Sequence, residues 1–413
     1  MISKIKPAQI YNLIAFCSSL FFWLVFTVNI IYHVTVVNLN PLQLILIGTI
    51  LEASVFLAEI PTGIFADIKS RRLSIIIGFV LIGIGFIIEG IFPFFWTVAL
   101  AQIIWGIGFT FTSGAKQAWI TDEIGEKKAG KAFLRGYQFE KIGEFIAIPL
   151  SVLIAAFLAI QIPIISGGIL MIGLACFLFL IMPETRFKPH PNLHPNPIKS
   201  MGITLKETHK IILKHPVFLL ILLVGLFLGI YSEGFDRLPT VFFLQDFTFP
   251  GIFVQKPVLL FGIIAMVLAL ISIFLTELIH RKVEVEKAAP VAKSLIFSVL
   301  GLVIALTVFA FTKNLWVALI IYWIAGALRN INTPLYEIWF NQRIKEPHVR
   351  ATMFSVSSQI DALGQIGGGP ILGSIGKIFS IRWALLAAAL MLSPVLPLLG
   401  FLVNWSKKAD KVK

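Results

Sequence analysis

Residues 59–92 read EIPTGIFADIKSRRLSIIIGFVLIGIGFIIEGIF, a short basic turn followed by an apolar run over 74–92. At 1.5 Å of rise per residue such a run crosses the roughly 30 Å hydrocarbon core of a bilayer as one helix. Lys69, Arg71 and Arg72 mark the turn in front of it as cytoplasmic. Outward from this stretch, further runs of comparable length lie at about 9–32, 42–66, 96–120, 138–159, 162–182, 216–235, 257–279, 294–312, 315–339, 353–377 and 381–404. Together they predict an all-α integral membrane protein of twelve transmembrane helices. The fifth and sixth runs are separated least, by a turn at Gln161-Ile162-Pro163.

Composition excludes a water-soluble fold. Of 413 residues, 58% are hydrophobic and 13% charged, against roughly 45–50% and about 25% in soluble domains. Phe occurs 37 times and the mean hydropathy is +0.92, so lipid must be a partner over much of the surface. A formal charge of +13 would point to nucleic acid in a soluble protein. Here loop Lys and Arg account for it, and no nucleic-acid partner is expected. Cys17 and Cys176 each lie in an apolar run, so no disulfide framework is implied. No small-residue cleavage site follows the first run, which is expected to remain a span and not a cleaved leader.

The placement of basic residues sets the orientation. With the N-terminus in the cytoplasm, most of the 34 lysines and arginines fall in cytoplasmic segments, from Lys4 and Lys6 to Lys407, Lys408, Lys411 and Lys413. Both termini are therefore expected inside. The expected organisation is a six-helix bundle over 1–183, a cytoplasmic linker over 184–215 and a second six-helix bundle with a basic tail over 216–413. The linker carries Pro189, Pro191, Pro195 and Pro197, then a stretch at 203–214 that fits a short surface helix. A faint repeat relates the halves: with the fifth run laid on the eleventh, Glu140, Gly143, Glu144 and Pro149 fall on Asp361, Gly364, Gln365 and Pro370, and Trp119 and Trp339 occupy matching ends of the fourth and tenth. Parallel repeats of this kind predict transport by alternating access.

The segment Gly63-Ile64-Phe65-Ala66-Asp67-Ile68-Lys69-Ser70-Arg71-Arg72 resembles the signature G-x-x-x-D-[RK]-x-G-[RK]-[RK] of the major facilitator superfamily, departing from it at Ile68 and Ser70. Pro183-Glu184-Thr185 at the end of the sixth span also resembles the family. The resemblance implies two pseudo-symmetric six-helix bundles and a conformational latch. Gly63 would permit close helix packing, Asp67 would accept hydrogen bonds from a helix N-terminus or an arginine, and Arg71 and Arg72 would hold the loop at the cytoplasmic face. The positive-inside rule alone would also explain the two arginines. Read backward to Glu59-x-Pro61, the motif resembles that of drug exporters, in particular clostridial-type tetracycline exporters. Gly368-Gly369-Pro370-Ile371-Leu372-Gly373 is similar to a motif that antiporters of the family carry in the fifth span. The fifth span here keeps only Pro149 of it, with Ile148 and Val152 where glycines would stand, and packing or kinking would account for these residues equally.

An ionisable side chain within a span costs at least about 2.5–3.5 kcal/mol at the bilayer centre, so it usually faces a cavity or a partner. Glu52 lies near the middle of the second span and Glu59 two turns further along the same face. Asp361 sits at comparable depth in the eleventh, and the resemblance implies that these two helices are neighbours. Glu52, Glu59 and Asp361 are therefore the candidate proton carriers, with Arg329 of the tenth span as counter-ion; the competing reading is that these carboxyls are permanently neutral or ion-paired and structural. Glu140 and Glu144 with Lys141, Asp236 with Glu233 and Arg237, and Trp119, Tyr336 and Trp339 are cavity or gate candidates, although snorkelling, solvation or packing would also explain them.

Other function classes have less support. The seven histidines, His33 among them, are not central in any span, and His190 and His194 stand in a proline-rich linker without Cys or carboxylate partners. No metal, no cofactor and no enzymatic constellation is expected, and the absence of a G-x-x-x-x-G-K-[ST] loop argues against direct ATP drive. The expected function is proton-coupled export of an amphipathic drug-like compound, tetracycline being the leading candidate, by a monomer in a bacterial plasma membrane. The alternatives are import of a small nutrient or metabolite and, more remotely, a membrane enzyme or a non-transporting receptor.

Overall fold

The computed structural model describes residues 5–189, 216–282, 284, 288–343 and 350–411. His190, His194, the expected surface helix at 203–214 and Lys413 lie outside the described residues. Within them the regular structure is helical, with no strand. The first span is Pro7–Phe26 continued by Asn29–Thr35, the second Pro41–Ile68, the third Arg71–Ile91 and the fourth Phe95–Thr112 continued by Ala115–Ile124. The fifth is Glu126–Phe157, the sixth Gln161–Ile181, the seventh Pro216–Asp246, the eighth Pro257–Lys282 and the ninth Ala288–Phe311. The tenth is Leu315–Arg343, the eleventh Arg350–Ile378 and the twelfth Ile381–Leu392 continued by Val395–Lys411.

Ten of these twelve are long and apolar enough to cross a membrane on composition alone. The other two are the fifth and eleventh, which carry Glu140 and Asp361. The fifth begins at Glu126 and not near 138, because a helix that leaves the bilayer no longer needs apolar residues. Ala129, Ala132 and Gly136 are buried at helical spacing while Lys128, Lys131 and Arg135 are exposed, so small side chains hold this extension against its neighbours. Gln161 to Pro163 is also helical rather than a turn, since a proline is tolerated in a first turn where its missing N–H has no partner to lose. Left-handed backbone at Gly114 (φ 67°) breaks the fourth span, and Gly125 (φ 83°) turns it into the fifth.

The helices form two compact units. One comprises Met1–Leu39 with Ile50–Ile203, the other Asn40–Thr49 with Thr204–Lys413. The start of the second span thus belongs with the second unit, which a division at the linker alone does not provide for. In the first unit the first span packs on the fifth and sixth, and the third on the fourth and sixth; in the second unit the seventh packs on the eleventh, and the twelfth on the seventh and ninth.

The faint repeat has a structural meaning. A Cβ on Gly143 would stand 2.6 Å from the carbonyl oxygen of Phe16 on the first span, and one on Gly364 would collide with the carbonyl oxygen of Leu226 on the seventh. The two glycines thus bring the fifth span onto the first and the eleventh onto the seventh by the same backbone approach. Lipid tails are as apolar as leucine, so close packing of this kind must supply much of the helix association. Side chains such as Leu180, Phe274 and Phe297 point outward, each more than 60% exposed, as a lipid-facing surface requires.

Replacing Gly364 by Leu should lower the thermal midpoint and folded yield of detergent-solubilised protein, through overpacking of about 1–3 kcal/mol or more. Gly173→Ala, where nothing lies within 4 Å of the added Cβ, is the control and should fold normally. Equal behaviour of the two variants in size-exclusion and melting assays would remove Gly364 from the packing argument.

Candidate functional site

Polar side chains in the first unit gather at the helix ends around the turn before Arg71. Ser70 caps the third span, its hydroxyl accepting the Leu73 N–H at 2.9 Å. That start presents Arg71 and Arg72. Arg71 pairs with Asp67 at 3.3 Å, one turn earlier, and through Nη1 with Asp122 on the fourth span, while also donating to the Ala118 carbonyl at 3.0 Å. The Arg72 N–H donates to Glu184 Oε1 at 2.9 Å and its guanidinium to the Phe179 carbonyl; Ser70 Oγ donates to Glu184 Oε2 at 2.5 Å. Glu123 accepts from the backbone N–H and hydroxyl of Thr185 at 2.6 and 2.8 Å, and Trp119 Nε1 donates to the Pro183 carbonyl at 2.7 Å. The ends of the second, third, fourth and sixth spans are therefore tied together by charge-assisted hydrogen bonds.

The expected pairing of Asp67 with an arginine is present, and its strongest partner arrangement is one that sequence reasoning did not name. Asp122 and Glu123 stand more than fifty residues from Arg71, and a single sequence offers no signal for that pairing. Trp119, 1% exposed, sits inside this cluster. Gly63 has nothing within 4 Å of an added Cβ, so close helix approach at that position is not what it supplies.

The second unit holds a different polar group on its seventh, tenth and eleventh spans. Glu233 pairs with Arg237 at 2.8 Å, one helical turn apart. Arg329 donates from Nη2 to Asp236 at 2.6 Å and lies over the Phe235 ring at 5.4 Å. Asp361 accepts from the side-chain amide of Gln365 at 2.8 Å, and the charges of Arg329 and Asp236 also act on it. Arg329 thus has its short contact with Asp236 and a longer-range interaction with Asp361. Tyr336, 9% exposed, shares a hydrogen bond of 3.1 Å with Ser357 and lies 6.4 Å from the Trp339 ring, which is fully buried.

Glu52 is partly buried and Glu59 exposed on the second span, in the first unit, whereas Asp361 belongs to the second. Lys141 and Glu144 form an exposed pair at 2.7 Å, and the Glu140 charge acts on Tyr11 and Lys116. Among the described residues no group of three or more His, Cys, Asp or Glu side chains is placed to hold a metal ion. A further buried cluster, His33, Glu89 and Gln102, was missed. Its signal was a carboxyl inside the third apolar run.

Residues 12–292 match the Major Facilitator Superfamily. The chain belongs to this superfamily. It is 26% identical over 358 residues, 85% of either chain, to YxaM of Bacillus subtilis (strain 168), an uncharacterized MFS-type transporter. A point variant of the nucleoside transporter NupG aligns with a TM-score of 0.77 at 13% identity, covering 96% of this chain and all of that one. A POT family transporter in complex with 5-aminolevulinic acid aligns at 0.73 and 13% identity, over 97% of this chain and 96% of the other. These likenesses establish a membrane transporter of the facilitator fold.

The resemblance of Gly63 to Arg72 to the family signature implies a conformational latch, and the Arg71 cluster is its candidate. Asp122→Asn should reduce transport per folded molecule about tenfold or more, because a charged hydrogen bond worth roughly 1.5–3 kcal/mol is lost. Asp67→Asn should do less, since its contact is longer and its carboxyl more exposed. Initial rates in proteoliposomes with matched protein content test the ranking, and wild-type transport by Asp122→Asn would dismiss the latch.

Proposed function

We propose that this chain is a secondary active transporter that couples proton movement to export of an amphipathic, drug-like compound by alternating access, with tetracycline as the leading candidate. The observation that carries the coupling is the charge balance on the seventh, tenth and eleventh spans. Glu233 is matched by Arg237 and Asp236 by Arg329, while the short contact of Asp361 is with the neutral amide of Gln365. Protonating Asp361 therefore breaks no ion pair, and an amide can serve a carboxylate as donor and a carboxylic acid as acceptor. Glu52 and Glu59 are the corresponding candidates on the second span.

Export rather than import is supported by the resemblance of Glu59, Pro61, Asp67, Arg71 and Arg72 to the exporter motif. The distribution of Lys and Arg supports cytoplasmic termini, and the Bacillus relative supports a bacterial cell membrane. The chain is taken to act as a monomer. A second reading, import of a small polar solute, is favoured by the half-exposed Arg329–Asp236 pair, which offers both donors and acceptors to a hydrophilic ligand.

Purified protein in liposomes under an imposed pH gradient, with tetracycline as the probe, separates the two. Export predicts tetracycline movement against the proton flow; movement of polar solutes with the proton flow and none of tetracycline would favour import. Asp361→Asn should abolish gradient-driven accumulation and substrate-evoked proton flux, and Glu52→Gln should do the same if the second span also carries protons. Undiminished proton flux in both variants would remove these carboxyls from coupling.

A further inference from the structure

The first unit contains a second buried polar group remote in sequence from the latch. His33 Nε2 lies 2.8 Å from Glu89 Oε1, and the two side chains are 0% and 1% exposed. Gln102 Nε2 donates to Glu89 Oε2 at 2.8 Å, and Trp105 Nε1 donates to Gln102 Oε1 at 3.1 Å. Tyr32 donates its hydroxyl to the Glu89 backbone carbonyl at 2.8 Å. The first span thus contributes Tyr32 and His33, the third Glu89, and the fourth Gln102 and Trp105. On the sixth, Ile164 and Ile165 stand beside Gly90, the residue after Glu89. The titratable groups of the site are His33, Glu89 and Tyr32.

No Lys or Arg accompanies the Glu89 carboxylate in these contacts, so its charge is balanced only if the dyad holds a proton. With that proton the pair is neutral, either as imidazolium and carboxylate or as imidazole and carboxylic acid. Without it a bare negative charge is buried; with a second proton a positive one is. Both are disfavoured where water is excluded. In either one-proton form Nδ1 of His33 bears a hydrogen. That Nδ1 has no partner, and neither does the buried Oδ1 of Asn29, an acceptor one helical turn away on the same face. Two complementary orphans beside an ionisable pair mean that this is not a fully satisfied core contact.

We propose that His33 and Glu89 form a buried proton-binding dyad in the first unit, separate from Asp361, that is loaded and unloaded during transport. This rests on the reading of the chain as proton-coupled. Gln102 passes the state of the dyad to Trp105, which gives a direct optical readout.

The full-length protein in nanodiscs is titrated with acid and base without substrate, and tryptophan emission is followed as wild type minus Trp105→Phe. The dyad predicts a transition in that difference signal that disappears in Glu89→Gln and in His33→Gln and returns, with a moved midpoint, in Glu89→Asp. No transition in the wild-type difference, or one that persists in both substituted proteins, would overturn it. Trp105→Phe removes a donor to Gln102 but keeps both members of the dyad, so absence of a transition in the wild-type difference decides even where a dyad variant fails to assemble. In liposomes the proton flux per substrate should fall in Glu89→Gln; an unchanged ratio makes the pair structural. Because the titration uses neither substrate nor gradient, a transition without tetracycline transport would reject the export reading and leave the dyad standing.

Discussion

Hydrocarbon offers no hydrogen-bond partner, so every polar group carried into the bilayer must be met by another group of the same protein. That constraint explains where the polar residues of this chain stand. Small hydroxyls meet backbone carbonyls, as Ser151 does at Leu24 (2.6 Å) and Ser19 at Glu140 (2.7 Å), tying the fifth span to the first. Several charges appear as pairs or with amides, as Arg329 does with Asp236 and Asp361 with Gln365. In the first turn of the twelfth span Arg382 donates to Asp246 and to the carbonyls of Ala310 and Thr312.

The fold was legible because the same constraint writes itself into hydropathy. A helical span is apolar over most of its width, so run length gave the number and order of the helices even though the fifth and eleventh carry less apolar sequence than the other ten. What hydropathy cannot see is structure beyond the bilayer. The extension from Glu126 is encoded by Ala129, Ala132 and Gly136, a stripe of small residues that carries little hydropathic contrast. The breaks at Thr27–Val28 and Gly114 are equally silent, since a locally bent helix remains as apolar as a straight one. The repeat was legible only as a coincidence of Gly143 with Gly364; its cause, the approach of one backbone to another, needs three dimensions.

The site was legible in proportion to its locality. Asp67 and Arg71 are one turn apart and announce themselves in a motif. Asp122, Glu123 and Glu184 complete the same cluster from other helices, and their identity as partners depends on packing that no single sequence reveals. Glu89 is a different case. A carboxyl near the end of an apolar run is a weaker signal than the mid-span Glu52 and Asp361, and its partner His33 was passed over because it lies just past the end of the first run. Depth along a span is a poor guide to burial when a helix continues past a break, as Asn29–Thr35 does here.

Charge balance then separates two kinds of polar cluster. Around Arg71 and Arg72, guanidinium groups, carboxylates and backbone groups make several contacts, although Nε of each arginine is buried without a partner, so a change of protonation would break several hydrogen bonds at once. Such a cluster is suited to holding a conformation. Around Asp361 and around Glu89, a carboxyl is met by neutral groups or by an imidazole that changes charge itself. A proton can arrive or leave there at the expense of few contacts, and the change in net charge alters how well the site tolerates exclusion of water. Exclusion of water is what differs between open and closed access states. A site whose charge depends on its protonation and whose hydration depends on conformation links the two thermodynamically, because whichever state better shields the neutral form is favoured when the proton is bound.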